Sequence, residues 1–128
     1  MRDVARHLAG RTFLRPKTPE YGAAFEHLIF RELRSALDYG RVKSLHYWRS
    51  TSGFEVDFIV DERWAVEVKA AHTIRPEDLK GLKAIGQEGK KLALILVYGV
   101  ERAQIIDGID VLPWHEFLER IWAGAERP

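Results

Sequence analysis

Three charged side chains near the middle of the chain have the types and the spacing of a catalytic site. Asp57, Glu67 and Lys69 are all odd-numbered, and the residues that alternate with them are apolar. Alternation with a period of two is typical of a strand that is buried on one face. Two carboxylates on that face could hold a divalent cation, because hard cations prefer oxygen ligands. The three side chains therefore form a candidate metal site with an amine beside it.

The apolar pattern predicts how the two carboxylates are placed. It indicates two strands, 54–60 and 64–69, joined by a turn centred on Glu62. If both strands bury their even-numbered residues against one core, Asp57 lies opposite Glu67, because a slip of one residue would reverse every side chain. Directly opposed Cβ atoms are about 4.5–5.5 Å apart, and like charges there are destabilising. A bound cation would offset that repulsion.

A second interpretation is a solvated outer face of an antiparallel sheet, with charges that have no function. It explains either carboxylate better when that residue is taken alone, whereas the whole set of three at this spacing favours a functional site. The same register places Glu55 opposite Lys69. An ion pair between these two residues and a catalytic role for Glu55 are both open.

Length and composition exclude several classes of protein. The 128 residues, 46% of them hydrophobic, predict one globular domain, 1–128, with an N-terminal extension at 1–17 and a frayed tail at 123–128. Without cysteine there is no disulfide, thiol nucleophile or zinc–thiolate site, which fits a cytoplasmic protein. No apolar run is long enough to span a membrane. The net charge of +1 gives no strongly basic footprint, so a nucleic-acid partner is neither demanded nor excluded.

Periodicity and end signals predict the remaining elements. The first is a short helix at 2–9. A long helix then begins at Pro19, with Thr18 as its N-cap, and ends at a C-terminal cap at Gly40. In chain order there follow a strand at 42–50, the two strands already described, a helix at about 76–87, a strand at 92–97, a hairpin of 103–106 and 109–112, and a helix opened by Pro113. The continuous apolar run at 92–97 is typical of a central strand buried on both faces, and a helical crossover into it is compatible with parallel pairing. The sequence thus predicts an α/β fold with helices flanking a mixed central sheet.

Asp57, nine intervening residues and then Glu67-Val68-Lys69 resemble the PD-(D/E)xK signature of restriction-endonuclease-like nucleases. The leading proline of that signature is replaced by Val56. The predicted order of helix, three-stranded antiparallel meander, helix and strand is also the core arrangement of that fold, so motif and topology agree.

A narrower resemblance covers nearly the whole chain. It is to a C-terminal domain of unknown function carried by prokaryotic AAA-type ATPases. It rests on four separated blocks in the right order: Gly22…Phe25-Glu26…Glu32-Leu33, Tyr47-Trp48-Arg49, Gly53-Phe54-Glu55-Val56-Asp57-Phe58 and Val66-Glu67-Val68-Lys69. In that family an ATPase module normally precedes the domain. The sequence contains no phosphate-binding loop. Three alternatives stay open: one domain cut from a longer protein, a natural stand-alone version of the domain, or a piece of a split protein, with an ATPase module possible in the same or another chain.

The resemblance implies metal-assisted hydrolysis of phosphodiester bonds. Asp57, Glu67 and the carbonyl of Val68 would hold Mg²⁺ or Mn²⁺, and Glu26 matches the position at which many of these nucleases place a helix glutamate. Taken alone, Glu26 is better explained as an ordinary boundary residue. Lys69 would position the attacking water or help to deprotonate it.

The basic residues Arg49, Lys80 and Lys83 could bind phosphates of a nucleic acid, in the first instance DNA. Each taken alone is better explained as a solvated surface charge.

Two other functions stay open at this point. The same fold could be a non-catalytic module that recognises DNA or a protein for a separate ATPase, because a fold does not establish an activity. The hairpin near 103–112 could instead mediate assembly, including a homodimer. The presence of Glu26, Asp57, Glu67 and Lys69 together favours the nuclease.

Overall fold

The computed structural model describes residues 19–71, 73–99 and 101–124. Within these ranges the chain forms one mixed six-stranded sheet and three α-helices. The elements are α1 (Pro19–Asp38), β1 (Leu45–Arg49), β2 (Glu55–Val60), β3 (Trp64–Lys69), a 3₁₀ helix (Pro76–Leu79), α2 (Lys80–Gly86), β4 (Ala93–Tyr98), β5 (Gln104–Ile106), β6 (Ile109–Pro113) and α3 (Trp114–Ala123).

The predicted element order is confirmed over the described residues, with small changes at the boundaries. The helix predicted at 76–87 begins as a 3₁₀ turn, and Pro113 ends β6 rather than opening α3. The predicted helix at 2–9, the cap Thr18 and the extension 1–17 lie outside the described residues. The predicted frayed tail begins at Ala123, which is the last residue of α3; residues 125–128 also lie outside the description.

The sheet has the strand order β1-β2-β3-β4-β6-β5. The first three strands form the predicted antiparallel meander, and β4 is parallel to both β3 and β6. The predicted hairpin places β5 at the edge, antiparallel to β6. The α/β class and the mixed sheet are therefore confirmed. None of the described helices has the length and apolar character needed to cross a membrane.

Helices cover both faces of the sheet and create two cores. On one face, α1 and α3 bury apolar side chains such as Phe25, Ile29 and Phe117 against β3 and β4. On the other face, α2 buries Leu82 and Ile85 against Ala65, Leu96 and Val111. The sequence spacing explains the first packing, because apolar residues three or four apart share one side of a helix. The α1 helix ends at the predicted cap, where Gly40 has a φ of 77° and Arg41 N donates to the Ala36 carbonyl.

An irregularity in β2 overturns part of the predicted alternation. His46 pairs with Ile59, but Trp48 pairs with Val56, so two steps along β1 correspond to three along β2. One extra residue therefore lies in β2 at Asp57 and Phe58, as in a β-bulge. As a result Val56 packs in the core under α2, whereas Val60 packs in the core under α1. The expectation that all even-numbered residues share one core is wrong for Val56. It is also wrong for Phe54, which is 41% exposed and precedes β2.

The β2–β3 hairpin is centred on Glu62, as the sequence predicts, with Phe58 opposite Val66 and Val60 opposite Trp64. Its turn places Asp61 and Glu62 at positive φ, and the Asp61 carboxylate accepts from the Lys43 backbone N–H at 2.7 Å. 

The ladder stops at Phe58 and Val66. The predicted pairing of Glu55 with Lys69 is therefore wrong: Glu55 pairs with Arg49 of β1, and the two side chains lie 3.9 Å apart.

A close approach between α2 and the start of β2 holds the crossover helix against the sheet. A Cβ atom built on Gly81 would lie 2.0 Å from the carbonyl oxygen of Glu55 and 3.6 Å from Oε2 of Glu67. A backbone oxygen cannot move aside as the end of a long side chain can. Residue 81 therefore has to be glycine for α2 to contact β2 in this way.

We expect Gly81→Ala to lower the free energy of unfolding by about 2 kcal/mol or more, because the added methyl overlaps backbone in a packed region. The matched control is Gly22→Ala in α1, where the new Cβ would meet its nearest neighbour at 4.0 Å. That variant should gain about 0.5–1 kcal/mol from helix propensity. Urea unfolding of both variants measures the difference. Equal effects at the two positions would contradict the close approach.

Candidate active site

The predicted acidic residues meet where β2 leaves β3. Continuing the register of the ladder would place Val68 opposite Val56. Instead, Val68 N–H donates to the Asp57 Oδ2 atom at 2.9 Å. The Asp57 N–H in turn donates to the Glu67 Oε1 atom at 3.3 Å. At the bulge, backbone pairing is thus replaced by two side-chain contacts. In each of them a carboxylate accepts a hydrogen bond from a backbone N–H of the opposite strand.

The two carboxyl groups also contact each other, so the expectation that Asp57 and Glu67 converge is met by the geometry. Burial, followed by the side-chain hydrogen bond with Asp57 and the charge of Asp57, raises the pKa of the Glu67 carboxyl from its ordinary value near 4.5 to about 9. The positive charge of Lys69 opposes this shift. Two carboxylates this close cannot both be ionised cheaply, so without a cation the pair keeps a proton.

Glu26 approaches the same place from α1. Burial raises the pKa of its carboxyl, the charge of Asp57 raises it too, and the charge of Lys69 lowers it. Asp57 and Lys69 are therefore each within electrostatic range of both Glu26 and Glu67. The amine of Lys69 thus lies close to the acidic residues, as the sequence analysis expects.

A cavity of about 360 Å³ opens beside the pair, between α1 and the sheet. Such a volume lies at the lower end of the range for small-ligand sites. Its walls comprise Ala23, Glu26, His27, Phe30, Asp57, Phe58 and Val68. The four α1 residues recur at i, i+3, i+4 and i+7, and so they form one stripe of the helix next to its buried stripe.

The chemistry of the donor set fits one divalent ion. Val68 donates its N–H toward Asp57, and the N–H and C=O of one strand residue point to the same side, so the Val68 carbonyl faces the pair as well. Mg²⁺ keeps several waters and takes one or two carboxylates, which matches this inventory. In the described parts of the chain, no three His, Asp or Glu side chains are arranged to hold a metal together. Glu26 therefore lines the cavity without completing a three-carboxylate site.

The basic residues predicted to contact substrate lie apart from the pair. Arg49 contacts Glu55 at 3.9 Å, and Lys83 Nζ donates to Asp107 Oδ2 at 2.8 Å, which ties α2 to the β5–β6 turn. Lys80 is exposed at the start of α2, next to Gly81. The structure thus brings together Asp57, Glu67, Lys69 and Glu26 but gives two of the three basic residues carboxylate partners.

Sequence reasoning missed two parts of the site. One is the pair of rings from Phe30 and Phe58 in the cavity wall; the second stripe on α1 was the signal that could have found it. The other is Tyr98, which pairs with Lys69 in the parallel ladder and is fully buried. Its hydroxyl donates to the Thr73 carbonyl and lies 3.4 Å from Asp78 Oδ2. Burial, followed by the charge of Asp78, raises the pKa of Tyr98 to about 12. The neutral hydroxyl of Tyr98 therefore anchors the segment after Lys69. No sequence motif indicates this role.

The raised pKa of Glu67 predicts how the metal-free protein responds to pH. A group whose pKa is higher in the folded chain stabilises the fold below its unfolded pKa, and that contribution is lost as the pH rises toward the folded pKa. Stability should therefore decline from about pH 4.5 toward pH 9 on account of Glu67. We expect Glu67→Gln, which keeps a hydrogen-bond donor for Asp57 and removes the charge, to be the more stable protein at pH 8 by on the order of 1 kcal/mol. At pH 5 it should match the unmodified chain.

Urea unfolding in EDTA at the two pH values measures this difference. The control is Glu88→Gln, a change at an exposed carboxylate in the turn after α2. A Glu67→Gln variant that is destabilised equally at both pH values would show that the carboxyl pair does not carry the proton.

Comparison with known proteins gives one family. Residues 21–117, which are more than half of the chain and include every candidate site residue, match the family described as Domain of unknown function (DUF4143). No curated protein and no solved structure matches the chain. With its acidic strand pair inside the matched region, the chain belongs to the DUF4143 family.

Proposed function

We propose that this chain is a metal-dependent nuclease domain of the restriction-endonuclease-like type, which hydrolyses phosphodiester bonds of nucleic acid, in the first instance DNA. The observation that carries the proposal is the contact between the Asp57 and Glu67 carboxyls at the point where β2 and β3 separate. A half-buried acid pair with an amine nearby is costly for a structural role alone, and such perturbed groups concentrate at functional sites.

The topology supports the same conclusion. A helix, an antiparallel meander, a crossover helix and a parallel fourth strand occur in the order that the resemblance implies. The acidic residues lie on the second and third strands of the meander, at the end of the ladder rather than in its middle. There the strand backbones have separated, and side chains and a carbonyl can face a ligand in the gap.

Asp57, Glu67 and the carbonyl of Val68 would hold Mg²⁺ or Mn²⁺, with Glu26 acting through water from across the cavity. When bound, the ion supplies Lewis-acid stabilisation of the scissile phosphate and lowers the pKa of a coordinated water. Both carboxyls of the pair would then be ionised, because the cation replaces the shared proton as the compensating charge.

Lys69 follows Glu67 by two residues in β3, so its side chain leaves the strand on the same face. Its positive charge already acts on Glu67 and Glu26. It would orient the attacking water and neutralise the negative charge that develops on the phosphate as the bond from water to phosphorus forms and the bond to the leaving oxygen breaks.

A second candidate is a binding module without catalysis that serves a prokaryotic AAA-type ATPase in the same or another chain. The observation favouring it is that no third carboxylate joins the pair within the described residues. The closed, proton-sharing pair could then be a structural feature of a domain that recognises DNA or a protein.

Cleavage assays separate the two candidates. We expect the chain to cut linear, supercoiled or single-stranded DNA in Mg²⁺ or Mn²⁺, and Asp57→Asn and Lys69→Met each to reduce the rate about 100-fold or more. Asn keeps an oxygen that can accept from Val68 N–H, so the fold should survive the first change. Lys43→Met, at the opposite end of the hairpin beside Asp61, is the charge-matched control and should cut normally.

Cutting that persists in both site variants would contradict the assignment of Asp57 and Lys69 to the catalytic site. DNA binding with no cutting in either metal would support the binding module.

A further inference from the structure

Two aromatic rings line the cavity beside the carboxyl pair. The rings of Phe30, on α1, and Phe58, in the bulge of β2, have centroids 6.0 Å apart and are tilted by 37°. Phe58 packs partly against the core, whereas 44% of the Phe30 surface is exposed. The cavity therefore presents an aromatic face to solvent directly beside Asp57 and Glu26.

Phe30 is not required by the core of the protein. The buried stripe of α1 consists of Phe25, Ile29, Leu33 and Ala36, and Phe30 lies one position off it, on the stripe that faces the cavity. A cavity lined by aromatic side chains together with a few polar groups is typical of a ligand-binding site. The contact with Phe58 leaves 44% of the Phe30 surface exposed, so part of the ring is available to a ligand.

We propose that Phe30, supported by Phe58, stacks on an unpaired base, so that the site takes a single strand, a frayed end or another unpaired stretch of nucleic acid. The inference rests on the proposed function, because it assumes that the neighbouring carboxyl pair acts on a phosphodiester. A base in a duplex stacks on its neighbours and offers no free face to a side chain. An unpaired base can turn its face onto an aromatic ring.

The charge of the chain supports stacking as the source of affinity. Proteins that track a duplex neutralise many phosphates with lysine and arginine. Here the net charge is +1, and Arg49 and Lys83 are already paired with Glu55 and Asp107. A strand held mainly by its phosphates would find few unpaired cations among these predicted contacts. Stacking on a ring needs no positive charge.

Binding measured without cleavage tests the inference separately from the nuclease proposal. The probes are fluorescent oligomers of about 12 nucleotides, within the site size of known single-strand binders: an oligo-dU, an oligo-U and a duplex of equal length, with Ca²⁺ in place of Mg²⁺. We expect the chain to bind at least one single strand about tenfold more tightly than the duplex. The better of the two single strands identifies the sugar.

Variants of Phe30 then show whether the ring is responsible. Phe30→Ala and Phe30→Leu should weaken single-strand binding about tenfold and leave duplex binding unchanged, and Phe30→Tyr should keep it. The matched control is Phe54→Ala, because Phe54 is 41% exposed but does not line the cavity. Thermal unfolding of each variant checks that the fold is intact.

The outcomes for the two proposals are distinguishable. Single-strand binding that depends on Phe30, without cutting in Mg²⁺ or Mn²⁺, would overturn the nuclease and keep the stacking surface. Equal affinity for duplex and single strand, no binding of either, or a Phe30→Leu variant that binds normally would overturn the stacking surface, even where cutting is observed.

Discussion

The site depends on two carboxyl groups that have to share one small space. Asp57 and Glu67 stand where antiparallel strands would otherwise exchange backbone hydrogen bonds, and each accepts an N–H from the opposite strand. These bonds keep the separated strands connected while the like charges push against each other. A proton can relieve the repulsion, and so can a divalent ion. In the proposed function the ion would relieve this repulsion, and the same two carboxyl groups would then serve as its binding site.

The surrounding fold holds the Asp57 and Glu67 carboxyl groups in contact. The bulge at Asp57 and Phe58 separates β2 from β3, the Gly81 backbone presses against the Glu55 carbonyl, and Tyr98 fixes the segment after Lys69. These contacts come from three different elements. Their common effect is that the acidic pair is held by backbone and buried groups rather than by flexible surface side chains, which is a requirement for a preorganised site.

Much of the fold and of the candidate site could be predicted from the sequence, because these features follow from the periodicity of apolar residues. The alternation in 54–69 fixed the hairpin and its centre, and the apolar run at 92–97 indicated the parallel central strand. The convergence of Asp57 with Glu67 then followed from counting. The bulge could not be predicted in this way, since no residue type marks it, and the shift of Val56 to the other core is visible only once β1 is paired. The local sequence pattern does not encode which elements meet in space. It therefore could not predict the partners of Arg49 and Lys83 or the contribution of Phe30 to the cavity wall.

The glycine at position 81 has a consequence for how proteins of this kind can diverge. As long as α2 lies against the Glu55 carbonyl, position 81 tolerates no side chain, whereas exposed positions around it, such as Lys80, can be exchanged without disturbing the backbone. Mutations that accumulate over evolutionary time can therefore change the outer surface of the crossover helix independently of the acidic pair on the neighbouring strands.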